Sequence, residues 1–435
     1  MAYREFDLAP CSRRTLLQGG AFLGASALLA GAPLGRALQA REAAAGEWPA
    51  IRKLVSDYVG TGKLPNMVAA LGWGDRPAEI IAAGNLAFGS TVRADADSLY
   101  RIYSMTKPIT GMAAMMLIDD GRLAPDQPLH ELIPAYRNMR VQRIYDGSLS
   151  DLVPAERPIT IRMLLTHTAG LGYNVVQKGA ISRYYTQQGL IPGQVSRLPI
   201  PGMGSGAAIR GLDNFAEELA KAPLVLQPGT RWSYSVSLDL LGRVIEVASG
   251  MRFDAFLQDR IFAPAGMTST YFRVPQSEVG RFTTNYGILA GTPVPIDPAQ
   301  ASIYLDAPSF PFGGAGLVSS ARDYDRFLKL LLGYGVIDEQ RIMSEAAVRA
   351  GTSDLLPEGV VTKGTWIEGQ GFGAGGRVAN GAFGWGGAAG TVGLVSYAAG
   401  LRGTMMTQYM PVDTYPIHEA FPAALMADVA ALQPA

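Results

Sequence analysis

Three residue types that carry much protein chemistry are scarce in this sequence: one cysteine, three histidines and seven lysines among 435 residues. One cysteine cannot close an intramolecular disulfide, and with three histidines it cannot fill a Cys/His zinc cage. Neither sign of charge is in excess. The 37 basic and 37 acidic side chains cancel, which argues against a nucleic-acid binder with its usual basic surplus. The chain has no P-loop, no G-x-G-x-x-G after a strand and no H-E-x-x-H, so no nucleotide, metal or other cofactor is implied. Apolar residues are plentiful: the chain is 48% hydrophobic and only 17% charged. That is the composition of a soluble globular protein, long enough for about three domains or for two lobes plus extra segments.

The only cysteine, Cys11, lies just before Ser12-Arg13-Arg14-Thr15-Leu16-Leu17, and a charge-free apolar run follows from Gly19 to Gly35. A basic stretch, a short apolar stretch and small residues beyond it read as an export signal, with Ala43-Ala44-Ala45 as an A-x-A-like cleavage site. The paired arginines resemble the twin-arginine type, which a receptor reads and which would make the export machinery a partner. A permanent membrane anchor is the alternative, but spanning a bilayer takes about 20 strongly apolar residues, and this run is shorter and rich in Gly and Ala. The expectation is a signal over residues 1–45 and an exported, periplasmic or secreted product. Cleavage there leaves 32 basic against 34 acidic groups and no cysteine, which removes thiol catalysis from consideration.

Asn66–Trp73 and Glu79–Ala83 are apolar runs separated by Gly, Asp, Arg and Pro, the pattern of a hairpin. Pro108–Leu117 has apolar residues at helical spacing and stops at Asp119-Asp120-Gly121. The segment 122–300 is rich in loops, with helical patches at Asp213–Ala222 and Leu238–Ser249, and another helix is expected at Ala321–Leu332. Gly393–Tyr397 and Thr404–Tyr409 read as strands around a Gly400–Gly403 turn. A terminal helix carries Phe421, Leu425, Val429 and Leu432. Strands at both ends with helices between them predict an α+β fold, in which one antiparallel sheet is built from both termini and flanked by helices. The expected division is an α/β sheet domain from 46–120 and 301–435, with a mostly helical lobe at 121–300 inserted into it.

Ser104-Met105-Thr106-Lys107 is the only S-x-x-K in the chain. Arg101-Ile102-Tyr103 reads as extended and Ile109 onward as helical, so Ser104 falls where a helix begins. Residues i and i+3 share a helix face, which puts the Lys107 amine beside the Ser104 hydroxyl. Free N–H groups and the positive dipole end favour developing negative charge there. A capping serine with an exposed lysine explains the tetrapeptide equally well. Two later segments bear on the choice: Trp232-Ser233-Tyr234-Ser235-Val236, just before a helix, and Trp385-Gly386-Gly387-Ala388, before the last strands.

An S-x-x-K, a Y-S-x about 130 residues later and a Gly-rich triplet before the last strands together resemble the serine β-lactamase and penicillin-binding-protein superfamily. Leu164–Leu171, Ala263–Met267 and Gly313–Ser319 are similar to segments of its class-C-like branch. The resemblance implies the β-lactamase/DD-peptidase-like fold and acyl transfer through Ser104, with Lys107 and Tyr234 moving protons and the N–H groups of Ser104 and Ala388 forming an oxyanion hole. Two departures bear on the substrate. Val236 stands where β-lactamases carry the Asn of Y-x-N, and Trp385 stands where they carry the Lys of K-T-G. Both departures resemble the family VIII carboxylesterases, which implies a small-molecule ester substrate. Trp385, Gly386, Gly387, Val236 and Tyr173 are then expected to line the substrate site, although Tyr173 reads equally as a half-buried loop residue. The alternatives on this scaffold are a β-lactamase, a D-amino-acid peptidase, an amide hydrolase, an acyltransferase or a non-enzymatic penicillin-binding-like receptor. Lys363-Gly364-Thr365 reads as a surface loop, His167 as a structural histidine bonding backbone, and Arg322, Asp323, Asp325 and Arg326 as a solvated helix face.

Overall fold

The computed structural model describes residues 48–198 and 207–431. The expected signal, Cys11 and Leu432 lie outside the described residues. The strands used below are β1 (Asn66–Trp73), β2 (Glu79–Gly84), β3 (Leu99–Arg101), β4 (Val318–Ser320), β5 (Gly371–Phe372), β6 (Arg377–Ala379), β7 (Ala382–Gly386), β8 (Val392–Ser396) and β9 (Leu401–Met406). The helices are α1 (Pro49–Gly60), α2 (Thr106–Asp119), α3 (Ile161–Leu165), α4 (Gly179–Gln187), α5 (Leu212–Leu219), α6 (Ser237–Ser249), α7 (Phe253–Leu257), α8 (Ala321–Leu332), α9 (Glu345–Gly351) and α10 (Ile417–Ala431).

Seven strands form the main sheet in the order β5-β6-β7-β8-β9-β1-β2, so the first hairpin docks on the last long strand. β1 pairs antiparallel with β9 from Val68↔Met406 to Trp73↔Leu401. This is the sheet expected from both termini. β1 is buried on both faces: Met67, Ala69 and Leu71 pack beneath α1 and α10, while Val68 and Ala70 face the core that holds α2 and α6. The alternation follows from the period of two along a strand.

The polar ends of these elements are satisfied across the fold. Asp428, near the end of α10, accepts the Ala50 and Ile51 N–H groups at 2.8 and 3.0 Å and caps α1, which has no side-chain cap of its own. α8 starts on Ser320, whose side chain accepts the Asp323 N–H. Three expectations are revised. The last turn is shorter than the Gly400–Gly403 reading, because β9 already begins at Leu401. The segment 121–300 contains hairpins as well as helices: Arg140–Gln142 pairs with Leu152–Pro154, and Asn285–Leu289 with Thr292–Asp297. The charged residues of α8 do not form a solvated face. Asp323 binds the Ser269 N–H and the Thr270 hydroxyl in the interior, and Asp325 pairs with buried Arg402 at 2.7 Å. Arg322 and Arg326 reach outward to Asp97 and Asp338.

β3 and β4 make a short antiparallel pair that delivers the chain to Ser104. Its anchor is Arg101, fully buried, whose guanidinium contacts Asp297 Oδ2 at 2.6 Å, the Thr283 carbonyl at 2.7 Å and Ser302 Oγ at 3.1 Å. Breaking a buried ion pair from one side strands a charge in the interior, at a typical cost of about 3–5 kcal/mol. Asp297→Ala is therefore expected to lower the unfolding free energy by about that amount in urea titrations. A loss below about 1 kcal/mol, the range of surface pairs, would show that water already screens the pair.

Candidate active site

Ser104 occupies a single 3-10 turn, Tyr103–Met105, that runs directly into α2. Its hydroxyl is not the cap of that helix: no side chain caps either segment, and the residues in the cap positions are Ile102 and Met105. Tyr103 has φ of +42°, a region sparsely populated for a non-glycine residue. The distortion is held by the burial of its ring and by a hydrogen bond from Asn285 Nδ2 to its hydroxyl at 3.2 Å. Such strain is characteristic of functional turns. α2 is buried almost all round, Thr106 to Leu117, so its apolar spacing does not define a single core-facing stripe.

Lys107 Nζ donates to Ser104 Oγ at 3.1 Å, as the i, i+3 spacing requires, and to the Gly314 carbonyl at 2.8 Å. The Tyr234 hydroxyl, 130 positions away in sequence, donates to the same Ser104 oxygen at 2.8 Å. Lys107 Nζ also stands 4.5 Å from the centre of the Tyr234 ring. The three residues named from the sequence thus meet at one oxygen atom. Around Tyr234 lies an aromatic wall. Trp385 approaches at 5.8 Å between centroids, with its indole N–H 3.4 Å from the tyrosine oxygen; Tyr173 stands edge-on at 5.4 Å and Trp366 at 5.1 Å. Tyr173 is buried, which pushes its hydroxyl well above the usual tyrosine range.

His167 lies under the tyrosine, 4.8 Å from its ring. Its Nδ1 accepts the Ser235 N–H at 3.2 Å and lies 3.0 Å from the Ser235 hydroxyl. Burial, and next the charge of Lys107, hold this imidazole well below its ordinary pKa. It is a backbone-bonding neutral histidine, as its sequence setting suggested.

The glycine triplet has a packing role as well as the expected one. β7 is internal to the sheet, between β6 and β8. Pairing with β6 stops at Gly384, however, so Trp385 and Gly386 run past their neighbour on that side. A Cβ on Gly386 would lie 2.6 Å from the His418 ring, and one on Gly387 would lie 2.3 Å from the Ile102 carbonyl oxygen. Both glycines are therefore fixed by close approach of the protein itself. Ala388 and Ser104 are half-buried, and neither backbone N–H has a protein acceptor among the described residues. Val236 lies elsewhere than expected. Its side chain is wholly inside the core and its N–H donates to the Gly172 carbonyl at 3.2 Å, so it shapes the start of α6 rather than a substrate-facing surface.

Sequence reasoning missed Trp366, Phe372 and Asp239. Trp366 follows directly on Lys363-Gly364-Thr365, which is a surface turn as expected, and only the fold turns its ring onto Tyr234. Phe372 stacks edge-on against Trp385 at 5.3 Å. Two tryptophans and two phenylalanines within 20 residues, Trp366, Phe372, Phe383 and Trp385, were the available signal.

The family model for beta-lactamase matches residues 51–425. The chain belongs to the beta-lactamase family. Among its relatives, Protein Rv1367c of Mycobacterium tuberculosis is 37% identical over 60% of this chain and 61% of its own, so the match spans less than two thirds of that relative. Esterase EstB of Burkholderia gladioli is 32% identical over 72% of this chain and 77% of its own length. Among solved structures, EstCE1, described as a hydrolase with promiscuous acyltransferase activity, is 24% identical with a TM-score of 0.69. That match covers 86% of this chain and 97% of the other, and it shows the shared fold.

Proposed function

We propose that the chain is a serine carboxylesterase that hydrolyses esters of small to medium acyl chains through an acyl-enzyme on Ser104. One observation carries the reading: Ser104 Oγ is held by both Lys107 and Tyr234, while the uncharged Trp385 leans on that tyrosine where β-lactamases place a lysine. A β-lactam or peptide carboxylate would have no charge to meet at Trp385, whereas an ester acyl group meets an apolar wall. The relation to Esterase EstB supports the same class.

The Lys107–Tyr234 pair takes the Ser104 proton as Oγ forms a bond to the ester carbonyl carbon. The tetrahedral oxyanion is met by the N–H groups of Ser104 and Ala388. The bond to the alkoxy oxygen then breaks, and the pair returns the proton to that oxygen to release the alcohol. Water adds to the acyl-enzyme by the same proton path and frees the acid. An alcohol in place of water gives acyl transfer, a second reading favoured by the transferase activity described for EstCE1. We read residues 1–45 as a twin-arginine-type export signal and the enzyme as working outside the cytoplasm.

The test uses the chain from residue 46 onward against p-nitrophenyl butyrate and a chromogenic cephalosporin. Ester turnover is expected to exceed cephalosporin turnover by about three orders of magnitude, equivalent to about 4 kcal/mol of differential transition-state binding. Cephalosporin turnover equal to or above ester turnover would sink the substrate assignment.

A further inference from the structure

One buried carboxyl close enough to feel the charge of Lys107 takes no part in the steps of acyl transfer. Asp239 sits in the first turn of α6, five residues after Tyr234, and is 1% exposed. Its Oδ1 accepts the Gly314 N–H at 2.9 Å. Its Oδ2 is buried without a hydrogen-bond partner among the described residues. The same Gly314 receives Lys107 Nζ on its carbonyl at 2.8 Å. One peptide residue thus joins the carboxyl to the amine, its N–H facing one and its C=O the other. No side chain fits between them, since a Cβ on Gly314 would lie 2.6 Å from Asp239 Oδ2.

Burying a carboxyl with one unsatisfied oxygen is costly, and a purely structural clamp on Gly314 would be served by an uncharged acceptor such as Asn. Burial, the largest influence, pushes Asp239 up to about 7, and the charge of Lys107 pulls it the other way. The titratable groups that face it are Lys107 from α2 and Tyr173 from the segment before α4. Tyr234 and His167 also neighbour the amine, the first with its ring centre 4.5 Å from Nζ and the second through the charge of Lys107. The 313–316 segment packed between contributes none.

We propose that Asp239 is the positioning residue and buried counter-charge of Lys107, holding the Gly314 carbonyl against the amine and stabilising the ammonium formed when the amine accepts the Ser104 proton. The role rests on the Ser104 acyl-enzyme reading and adds to it a residue that acts only through Lys107. The proton moves from Ser104 Oγ to the Lys107–Tyr234 pair and later to the leaving alcohol; Asp239 neither gains nor loses one in the cycle.

Asp239→Asn keeps an acceptor for the Gly314 N–H and removes the charge. Its kcat for p-nitrophenyl butyrate is expected to fall about tenfold or more, the equivalent of one pKa unit of interaction, with KM little changed. The acid limb of its kcat profile should move to lower pH by about one unit, because a neutral amide no longer favours the protonated form of the pair. Wild-type kcat with an unmoved limb would overturn the proposal. A fall in kcat with an unmoved limb would do so as well, since it would leave Asp239 only a clamp for Gly314. Should Asp239→Asn fail to fold, Asp239→Glu carries the test: its limb must stay at the wild-type position, and a limb displaced to lower pH overturns the role. Ester hydrolysis that survives Ser104→Ala would sink both readings, whereas Ser104-dependent hydrolysis indifferent to Asp239 would sink this one alone.

Discussion

Ser104→Ala is expected to lower kcat/KM for p-nitrophenyl butyrate by about 10⁴- to 10⁶-fold, the range found when the nucleophile of a serine hydrolase is removed. The loss follows from a single atom. Without Oγ no acyl-enzyme can form, and Lys107 and Tyr234 face each other across an empty position with no proton to move. What remains is binding and the two backbone donors, which alone leave a small acceleration over water. The fold should be indifferent to the change. The Ser104 hydroxyl caps no helix, Lys107 keeps the Gly314 carbonyl, and the Tyr234 hydroxyl keeps the Trp385 indole beside it. Circular dichroism and the urea midpoint should match wild type, and intact mass after a brief pulse of ester should show an acyl adduct on wild type only. Hydrolysis within tenfold of wild type would move the nucleophile to another residue and dissolve the reading.

The parts of this site that could be read in the sequence are those fixed by local geometry. The Ser104–Lys107 contact follows from i, i+3 spacing on a helix, and the helix from a charge-free apolar run ended by Asp119-Asp120-Gly121. α8 lies where its spacing placed it, Ala321–Leu332, because Ser320 supplies a cap and its apolar residues keep one period. The joining of both termini in one sheet followed from the order of the elements. Tyr234 could be brought to the serine only through the resemblance, since no local rule links positions 130 apart. What stayed hidden depends on long-range packing. Asp325 looks like a solvated helix residue until β9 places Arg402 against it, and the glycines of the triplet are set by His418 and Ile102, which pattern alone does not bring near. Trp366 and Asp239 belong here too: one follows a turn, the other opens a helix, and tertiary contact alone gives either a part in the chemistry.

Tyr234→Phe tests the proton path by removing only the oxygen that reaches Ser104 at 2.8 Å. The ring stays held by Trp232 at 6.1 Å, Trp366 at 5.1 Å, Trp385 at 5.8 Å, Tyr173 at 5.4 Å and His167 at 4.8 Å. Stability should therefore fall by no more than about 1 kcal/mol, the net worth of one hydrogen bond. kcat should fall by about 10²- to 10⁴-fold, the usual contribution of a positioned acid–base group. The loss falls on both halves of the cycle, because the group that takes the serine proton on attack returns it to the alcohol on collapse. The contrast with Ser104→Ala lies in chemistry that needs no returned proton. Ser104 and Lys107 remain in contact, so an organophosphonate with a good leaving group should still label the variant slowly and stoichiometrically, whereas Ser104→Ala should take up none. Wild-type kcat in a folded Tyr234→Phe protein would remove the tyrosine from the path and leave Lys107, with Asp239 behind it, as the sole base.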